Sequence, residues 1–321
     1  METFLQIVGG LALLALGGEA VVRGAVGIAR RFGVSELLIG LTLVAFGTST
    51  PELLTSVNAA LNGSPGIAVG NVVGSNIGNI LLIFAIVVMV KPVAVDPAAI
   101  KRDGLIMVGV SLLLIALALT FGELSRLVGA ILLAGLIGYV VFAYMMERRG
   151  GPAAELHKDE SHSHDPAPAN IWVSLAFALG GLVLLVFGAD FLVSGATTLA
   201  KAVGVSETVI GLTIVAIGTS LPELVASLVA ALRGRSDIAF GNIVGSNIYN
   251  ILGILGITAL VAPVPIPPDM AARDWIAMTG AAIVLLLHAW TGARVTRMEG
   301  LSLLALYGVY CWLLLSPNAL G

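Results

Sequence analysis

The sequence predicts an all-α integral membrane protein with ten transmembrane helices, arranged as two five-helix repeats of inverted topology. Three observations support this prediction: an apolar composition, a duplication with a constant offset of 171 residues, and an exchange of basic residues between equivalent loops. Of the 321 residues, 58% are hydrophobic and 11% are charged, whereas a soluble domain carries roughly 25% charged residues. Several apolar runs also exceed the roughly 18 residues that a membrane-spanning helix needs.

Ten apolar runs define the predicted spans. We expect helices at about 3–29, 36–62, 66–90, 104–121, 126–147, 170–200, 207–232, 237–262, 275–290 and 300–316. Residues 1–148 then form the first repeat, residues 149–169 a linker, and residues 170–321 the second repeat. The linker is polar and rich in Pro and Ala. Its histidines, His157, His162 and His164, could bind a transition metal, but the composition favours a solvated connection without a role in transport.

The duplication is strongest between residues 40–86 and residues 211–257. The first stretch contains GTSTPE and GNVVGSN, the second contains GTSLPE and GNIVGSN, and 30 of the 47 positions are identical without a gap. Five predicted helices separate equivalent points, so the second copy enters the membrane from the opposite side. This inverted repeat is typical of secondary transporters, which bind their substrate where the two repeats meet near the midplane.

The basic residues predict the orientation in the membrane. We expect the protein in the cell (inner) membrane, with both termini outside and residues 149–169 on the cytoplasmic side. In this orientation, 12 of the 16 Lys and Arg residues lie inside and three lie outside, as the positive-inside rule requires. The remaining one, Arg23, lies within the first span, where it is expected to pair with Glu19. Equivalent loops differ as inversion demands, because the uncharged turn at 62–64 becomes Arg-Gly-Arg at 233–235.

Two carboxylates lie in the apolar spans. Glu52 falls about halfway along its span and Glu223 is its counterpart in the second repeat. An ionised carboxylate at that depth costs at least about 2.5 kcal/mol unless a cation or a polar cavity compensates it. Two such groups brought together would repel each other, so the pair is expected to bind a divalent cation, several monovalent cations or a proton.

A proline precedes each glutamate. Pro51 cannot donate a hydrogen bond and its ring crowds the carbonyl group four residues back, so we expect the helix to open around Gly47 and free backbone oxygens. Residues four apart on a helix share a face, which predicts the pairs Thr48 with Glu52, Ser75 with Asn79, Thr219 with Glu223, and Ser246 with Asn250. These oxygen ligands suit Ca²⁺ or Na⁺ rather than zinc or copper.

On these motifs the chain resembles the calcium/cation antiporter superfamily, specifically the prokaryotic sodium/calcium exchangers, whose two alpha repeats carry GTSxPE and GNxxGSN. The resemblance covers the whole chain. It implies that Ca²⁺ is coordinated by the glutamates Glu52 and Glu223 and by the backbone carbonyl groups of Thr48 and Thr219. It implies that the sodium sites are completed by Ala45, Ser49, Ser75, Asn79, Ala216, Ser220, Ser246 and Asn250. Some members, including potassium-dependent exchangers, have aspartate where this chain has Asn250. The neutral amide in this chain therefore argues against a potassium requirement.

The resulting hypothesis is an antiporter that exchanges Na⁺ for Ca²⁺ by alternating access, with the first and sixth helices sliding across the other eight, as the family implies. The closest alternative exchanges H⁺ for Ca²⁺ or another divalent cation, and a cation channel is less favoured because no pore-lining ring is evident. No HExxH, paired catalytic aspartates or nucleophile elbow indicates an enzyme. The expected partners are Ca²⁺, Na⁺ and the lipid bilayer, with no cofactor, nucleic acid or obligate protein partner.

Overall fold

The computed structural model describes residues 2–148, 170–202, 216–266 and 272–315. The predicted linker with its three histidines and the first part of the span at 207–232 lie outside these ranges. Seven of the described helices are long and apolar enough to cross a membrane, and one bent pair makes an eighth. The chain is therefore a multi-pass helical membrane protein, while the count of ten spans stays a prediction.

The helices of the first half follow the predicted spans closely. They are Glu2–Phe32 (α1), Glu36–Thr48 (α2), Thr50–Leu61 (α3), Pro65–Val90 (α4), Pro97–Phe121 (α5) and Arg126–Arg148 (α6). Two short strands, Val93–Ala94 (β1) and Glu123–Leu124 (β2), flank α5. Helix α5 begins earlier than the predicted 104, because Asp96 accepts a hydrogen bond from Ala98 N–H at 2.9 Å and caps a first turn that starts with proline.

The second half repeats this order. Its helices are Ile171–Ala202 (α7), Ala216–Thr219 (α8), Leu221–Leu232 (α9), Ser236–Val261 (α10), Ala272–Trp290 (α11) and Arg297–Leu315 (α12). Strands Val264–Pro265 (β3) and Arg294–Val295 (β4) flank α11. The chain divides into two compact units: the first unit is Met1–Pro51 with Glu147–Asn242, and the second unit is Glu52–Met146 with Ile243–Gly321. Each unit combines segments from both sequence repeats.

In the first unit, α1 and α7 pack closely through glycines. A Cβ atom on Gly10 would lie 2.8 Å from the carbonyl oxygen of Gly188, and one on Gly17 would lie 2.9 Å from that of Gly181. The contact positions rise along α1 as they fall along α7, so the two helices are antiparallel. Gly10 is the repeat counterpart of Gly181 and Gly17 that of Gly188, so these equivalent helices run in opposite directions, as an inverted repeat requires.

The ion pair predicted within α1 is present. Arg23 Nε lies 2.6 Å from Glu19 Oε1. Glu19 also pairs with Arg233, 2.7 Å away, which the sequence alone did not predict. Arg235 pairs with Glu36 at 2.8 Å, so the two arginines of the 233–235 turn are both engaged with acids of the first repeat.

In the second unit, the short strands pair reciprocally. Strand β1 pairs with β4 and strand β2 pairs with β3, both antiparallel. The register places Val93 opposite Val295 and Leu124 opposite Val264. An offset of 171 residues converts the first pair into the second. Such an exchange, in which each element contacts the copy of its partner, is the signature of a two-fold relation.

A hydrogen bond between a tyrosine and an aspartate repeats in the same unit. The Tyr139 hydroxyl donates to Asp103 at 3.1 Å, and the Tyr310 hydroxyl donates to Asp274 at 3.2 Å. Arg102 also lies 2.9 Å from Asp103. Both tyrosines are the repeat counterparts of each other, as are both aspartates. The duplication therefore extends from sequence to side-chain contacts.

The predicted helix break is present. The helix is interrupted at Ser49, two residues after the predicted Gly47, and α2 and α3 are bent by 47°. The same interruption occurs at Ser220 between α8 and α9. Within the described ranges, four π-helical segments were not predicted: Gly40–Val44, Ile100–Gly104, Asn79–Phe84 and Asn250–Ile254. The last two begin at equivalent predicted ligands, and π-helical turns are frequent at functional sites.

Candidate cation site

The break after α2 brings a serine of the first repeat to the glutamate of the second. The Ser49 hydroxyl donates to Glu223 Oε1 at 2.8 Å, and both residues are buried. The second carboxylate oxygen of Glu223, Oε2, is buried and accepts no hydrogen bond within the described ranges. A buried carboxylate oxygen of this kind is a strong ligand for a cation.

No described lysine or arginine compensates Glu223. The nearest candidates by sequence, Arg233 and Arg235, pair instead with Glu19 and Glu36. An isolated buried carboxylate is costly, so its charge calls for a bound cation or proton. Within the described ranges, no three His, Cys, Asp or Glu side chains cluster as in a transition-metal site.

Thr48 ends α2 and is fully buried in the first unit. Its hydroxyl lies 3.2 Å from Asn242 Oδ1 and 3.4 Å from the carbonyl oxygen of Ala45. The shared helix face predicted for Thr48 and Glu52 stays a prediction, because the break at Ser49 places the two residues on different helical segments. The same holds for Thr219 and Glu223, which the break at Ser220 separates.

The equivalent residues of the second repeat lie at the other break. In the second repeat, Ala216 begins α8 and Thr219 ends it. In the first repeat, Ala45 and Thr48 begin and end the last helical turn before Ser49. Thr219 and Ser220 are half-buried. The positions predicted from the first repeat therefore recur at the corresponding break.

In the second unit, Glu52 lies in the first turn of α3 and is 1% exposed. The Asn71 amide donates to the Glu52 carbonyl oxygen at 3.0 Å and to Ser56 Oγ at 2.9 Å. The glutamate-bearing helix is thereby tied to α4. No sequence pattern assigned this contact.

The predicted ligands on α4 and α10 lie in a group of asparagines. Asn250 donates to Asn76 Oδ1 at 2.9 Å, and Asn76 donates to the Asn247 carbonyl oxygen at 3.2 Å. Asn79 is buried, and neither atom of its amide group forms a hydrogen bond with a described residue. Asn250 Oδ1 and Ser246 Oγ are likewise buried and without a hydrogen bond among the described residues. A buried polar atom without a hydrogen bond lowers the stability of the fold by about 1–3 kcal/mol. A coordinated cation or water would offset this cost.

Ser75 differs from its neighbours in exposure. It is half-buried, whereas Asn79, Ser246 and Asn250 are buried. Ser75 and Asn79 remain on one continuous helix, as predicted, because the π-helical segment that begins at Asn79 continues α4 without a break.

Four asparagines near the predicted ligands were missed: Asn71, Asn76, Asn242 and Asn247. Their repetition in both copies of the GNxxGSN motif was the available signal. Repetition alone could not separate them from residues that only pack: Asn71 lies four residues before Ser75 and shares its helix face, whereas Asn76 directly follows Ser75 and lies on a different face. Contacts with the glutamate-bearing helices distinguish Asn71 and Asn242, and hydrogen bonds between α4 and α10 distinguish Asn76 and Asn247.

Comparison with known proteins agrees with the motifs. The family model described as sodium/calcium exchanger protein matches residues 2–145 and 173–316. CaxA of Alkalimonas amylolytica is 41% identical over 310 residues, which cover 96% of this chain and 97% of CaxA. The sodium/calcium exchanger MaX1 of Methanosarcina acetivorans is 35% identical over 335 residues, which cover 95% and 96% of the two chains.

A solved structure has the same fold. The sodium-calcium exchanger NCX_Mj, in a crystal soaked with Na⁺ and Ca²⁺, superposes with a TM-score of 0.80 at 32% identity. The superposition covers 98% of each chain. The likeness thus extends over the whole length and is not confined to the repeated motifs.

Proposed function

Because the chain belongs to the sodium/calcium exchanger family, we propose that it exchanges Na⁺ for Ca²⁺ across the membrane by alternating access. The observation that carries the proposal is the hydrogen bond from Ser49 to Glu223 at 2.8 Å. It joins the helix break of one repeat to the carboxylate of the other, in a buried position. The same carboxylate keeps Oε2 available for a cation.

The ions are assigned to oxygen ligands of both repeats. Ca²⁺ is held by Thr48, Glu52, Thr219 and Glu223. Sodium is held by Ala45, Ser49, Ser75, Asn79, Ala216, Ser220, Ser246 and Asn250, together with the glutamates. Support comes from the burial of the glutamates and from the buried polar atoms of Asn79, Ser246 and Asn250. The chain supplies these ligands itself and needs no cofactor.

Coupling follows from competition. Na⁺ and Ca²⁺ use the same two glutamates, so the carrier changes its access only when their charge is neutralised. Two carboxylates are neutralised by one Ca²⁺, whereas three sodium ions, the usual coupling of the family, leave one positive charge. Transport is therefore electrogenic. Asn250 is a neutral amide, so no third carboxylate calls for potassium.

Location and orientation follow from the basic residues. The protein resides in the cell (inner) membrane with both termini outside and residues 149–169 in the cytoplasm, since 12 basic residues then lie inside. It acts as a transporter and not as an enzyme. The H⁺/Ca²⁺ alternative is less favoured, because the matched family model and the solved relative are both sodium/calcium exchangers.

The test is ion flux in liposomes. Purified protein is reconstituted, and uptake of radioactive calcium is measured against Na⁺, K⁺ and H⁺ gradients imposed one at a time. Uptake driven by the Na⁺ gradient alone, and increased by a membrane potential of the appropriate sign, is expected. Uptake that follows the H⁺ gradient and ignores Na⁺ would favour the alternative.

A further inference from the structure

Asn71 and Asn242 occupy equivalent places, each directly after the first glycine of a GNxxGSN motif. Resting on the proposed function, we infer that they are positioning residues, which hold the two glutamate-bearing helices and Thr48 in the arrangement that binds cations. Neither residue belongs to the ligand set assigned above. They would instead hold ligand residues in place through hydrogen bonds.

Asn242 is fully buried, and its side-chain amide forms hydrogen bonds with three residues of the first unit. Nδ2 donates to Ser227 Oγ at 2.9 Å and to the Glu223 carbonyl oxygen at 3.3 Å. Oδ1 accepts the hydroxyl hydrogen of Thr48 at 3.2 Å. A single side chain therefore connects the last residue of α2 with the helix that carries Glu223.

The start of α9 gives this connection a purpose. Glu223 lies in the first turn of α9, directly after Pro222 and three residues after the interruption at Ser220. The interruption at Ser220 separates this turn from the single helical turn of α8 that precedes it. The bonds from Asn242 hold Glu223 and the residue one turn later from a neighbouring helix.

Asn242 also fixes the direction of the Thr48 hydroxyl hydrogen. A hydroxyl group near a cation must turn its hydrogen away, because only its lone pairs can face positive charge. Asn242 Oδ1 accepts that hydrogen. Without this acceptor, the buried hydroxyl group of Thr48 would retain only the more distant carbonyl oxygen of Ala45, 3.4 Å away.

Asn71 makes the corresponding contacts in the second unit. It donates to Ser56 Oγ at 2.9 Å and to the Glu52 carbonyl oxygen at 3.0 Å. Ser56 and Glu52 are the repeat counterparts of Ser227 and Glu223. The same amide, donating to the same two acceptors in both copies, indicates a role that each glutamate needs.

The experiment compares affinity with stability. We would measure the Ca²⁺ dissociation constant by calorimetry, KM and kcat for Na⁺-driven calcium uptake, and Tm, for Asn242→Ala and Asn71→Ala. Loss of groups that orient metal ligands weakens affinity by roughly 10–100-fold, so Kd and KM should rise about tenfold or more while kcat changes little. Thr258→Val, which alters a buried hydroxyl without a hydrogen bond in the described chain, should leave both constants unchanged.

A double variant tests the route through Thr48. Thr48→Val and Asn242→Ala remove the same hydrogen bond, so together they should raise Kd by less than the product of their separate effects. If Asn242→Ala does not fold, Asn71→Ala at its half-buried position decides. Lower Tm with unchanged Kd and KM would overturn the inference and leave the asparagines a purely structural role. Wild-type protein without Na⁺-driven calcium uptake would instead contradict the proposed function.

Discussion

Ser49 and Glu223 are 174 residues apart in the chain, yet their side chains are joined by a buried hydrogen bond of 2.8 Å. The donor stands at the helix break of the first repeat and the acceptor in the first turn of α9. The serine donates to one carboxylate oxygen, while the other oxygen is buried, accepts no hydrogen bond among the described residues, and is the oxygen that we propose binds a cation. The predictions begin from this carboxylate.

Replacement of either glutamate by glutamine should abolish exchange without unfolding the protein. Glu223→Gln keeps the volume and an oxygen that accepts from Ser49, but it removes the charge that compensates Ca²⁺ dehydration; Glu52→Gln should behave alike. Calcium uptake in liposomes should fall to background, with Tm nearly unchanged. Glu123→Gln, at an exposed position in β2, is the matched control and should transport normally. Near-wild-type flux in Glu52→Gln or Glu223→Gln would refute the ligand assignment.

Asn250→Asp should impair exchange at neutral pH. The variant loses the donor that reaches Asn76 Oδ1 at 2.9 Å and adds a third carboxylate to the ligand set, where it favours a bound proton or an extra cation. Na⁺-driven calcium uptake from pH 6 to 9, with and without K⁺, should show an optimum moved to higher pH. The parent should ignore K⁺ and lose activity at low pH, as protons compete for the glutamates. A parent stimulated by K⁺, or a variant with the parent's pH profile, would count against this account.

The orientation can be tested by labelling. In a Cys311→Ser background, cysteines at Ser163 and Arg233 should react with an impermeant thiol reagent from the cytoplasmic side only. Asn62→Cys, at the repeat counterpart of Arg233, should react only from outside, because the repeats are inverted. Both Asn62 and Arg233 are exposed in their turns. If Ser163→Cys and Arg233→Cys react from opposite sides, the predicted topology fails.

Adjacent glycines of α7 should differ sharply in their tolerance of alanine. A Cβ on Gly181 would lie 2.6 Å from the Val21 nitrogen, whereas a Cβ on Gly180 meets no described atom within 4 Å. Gly181→Ala should therefore separate α1 from α7, lowering stability by about 1–3 kcal/mol and reducing transport. Gly180→Ala should be neutral in Tm and flux. Equal effects of the two substitutions would mean that α1 and α7 do not pack through Gly181.

Ala293→Gly should stabilise the protein. Ala293 has a φ of 51°, in the left-handed region, while its repeat counterpart is Gly122 with a φ of 64°. A side chain in this conformation costs about 1–2 kcal/mol, so glycine should raise stability by about 1 kcal/mol after its own entropy cost. Gly122→Ala should lower stability by a similar amount. Thermal unfolding in detergent measures both, and a lower Tm for Ala293→Gly would contradict the argument.

Much of the site was predictable because its signals are local. The constant offset of 171 residues identified the repeat, and a proline beside a glutamate in an apolar span predicted the helix break. The ion ligands assigned from the same motif stay a prediction. The break was predicted at Gly47 and occurs at Ser49, since proline disturbs the helix without specifying which residue absorbs the bend. The face shared by Thr48 and Glu52 was predicted for a continuous helix, and helical periodicity does not simply continue across the break at Ser49.

By itself, the sequence determined that this is a multi-pass helical membrane protein built from two copies of one repeat, because composition and repetition are properties of the chain alone. The tertiary structure decided which polar groups meet: Ser49 with Glu223, Thr48 with Asn242, and Asn250 with Asn76. It also placed π-helical segments at Asn79 and Asn250. These features depend on how helices far apart in sequence pack, and in an apolar interior each buried polar side chain must find its partner among whichever groups that packing brings within hydrogen-bonding distance.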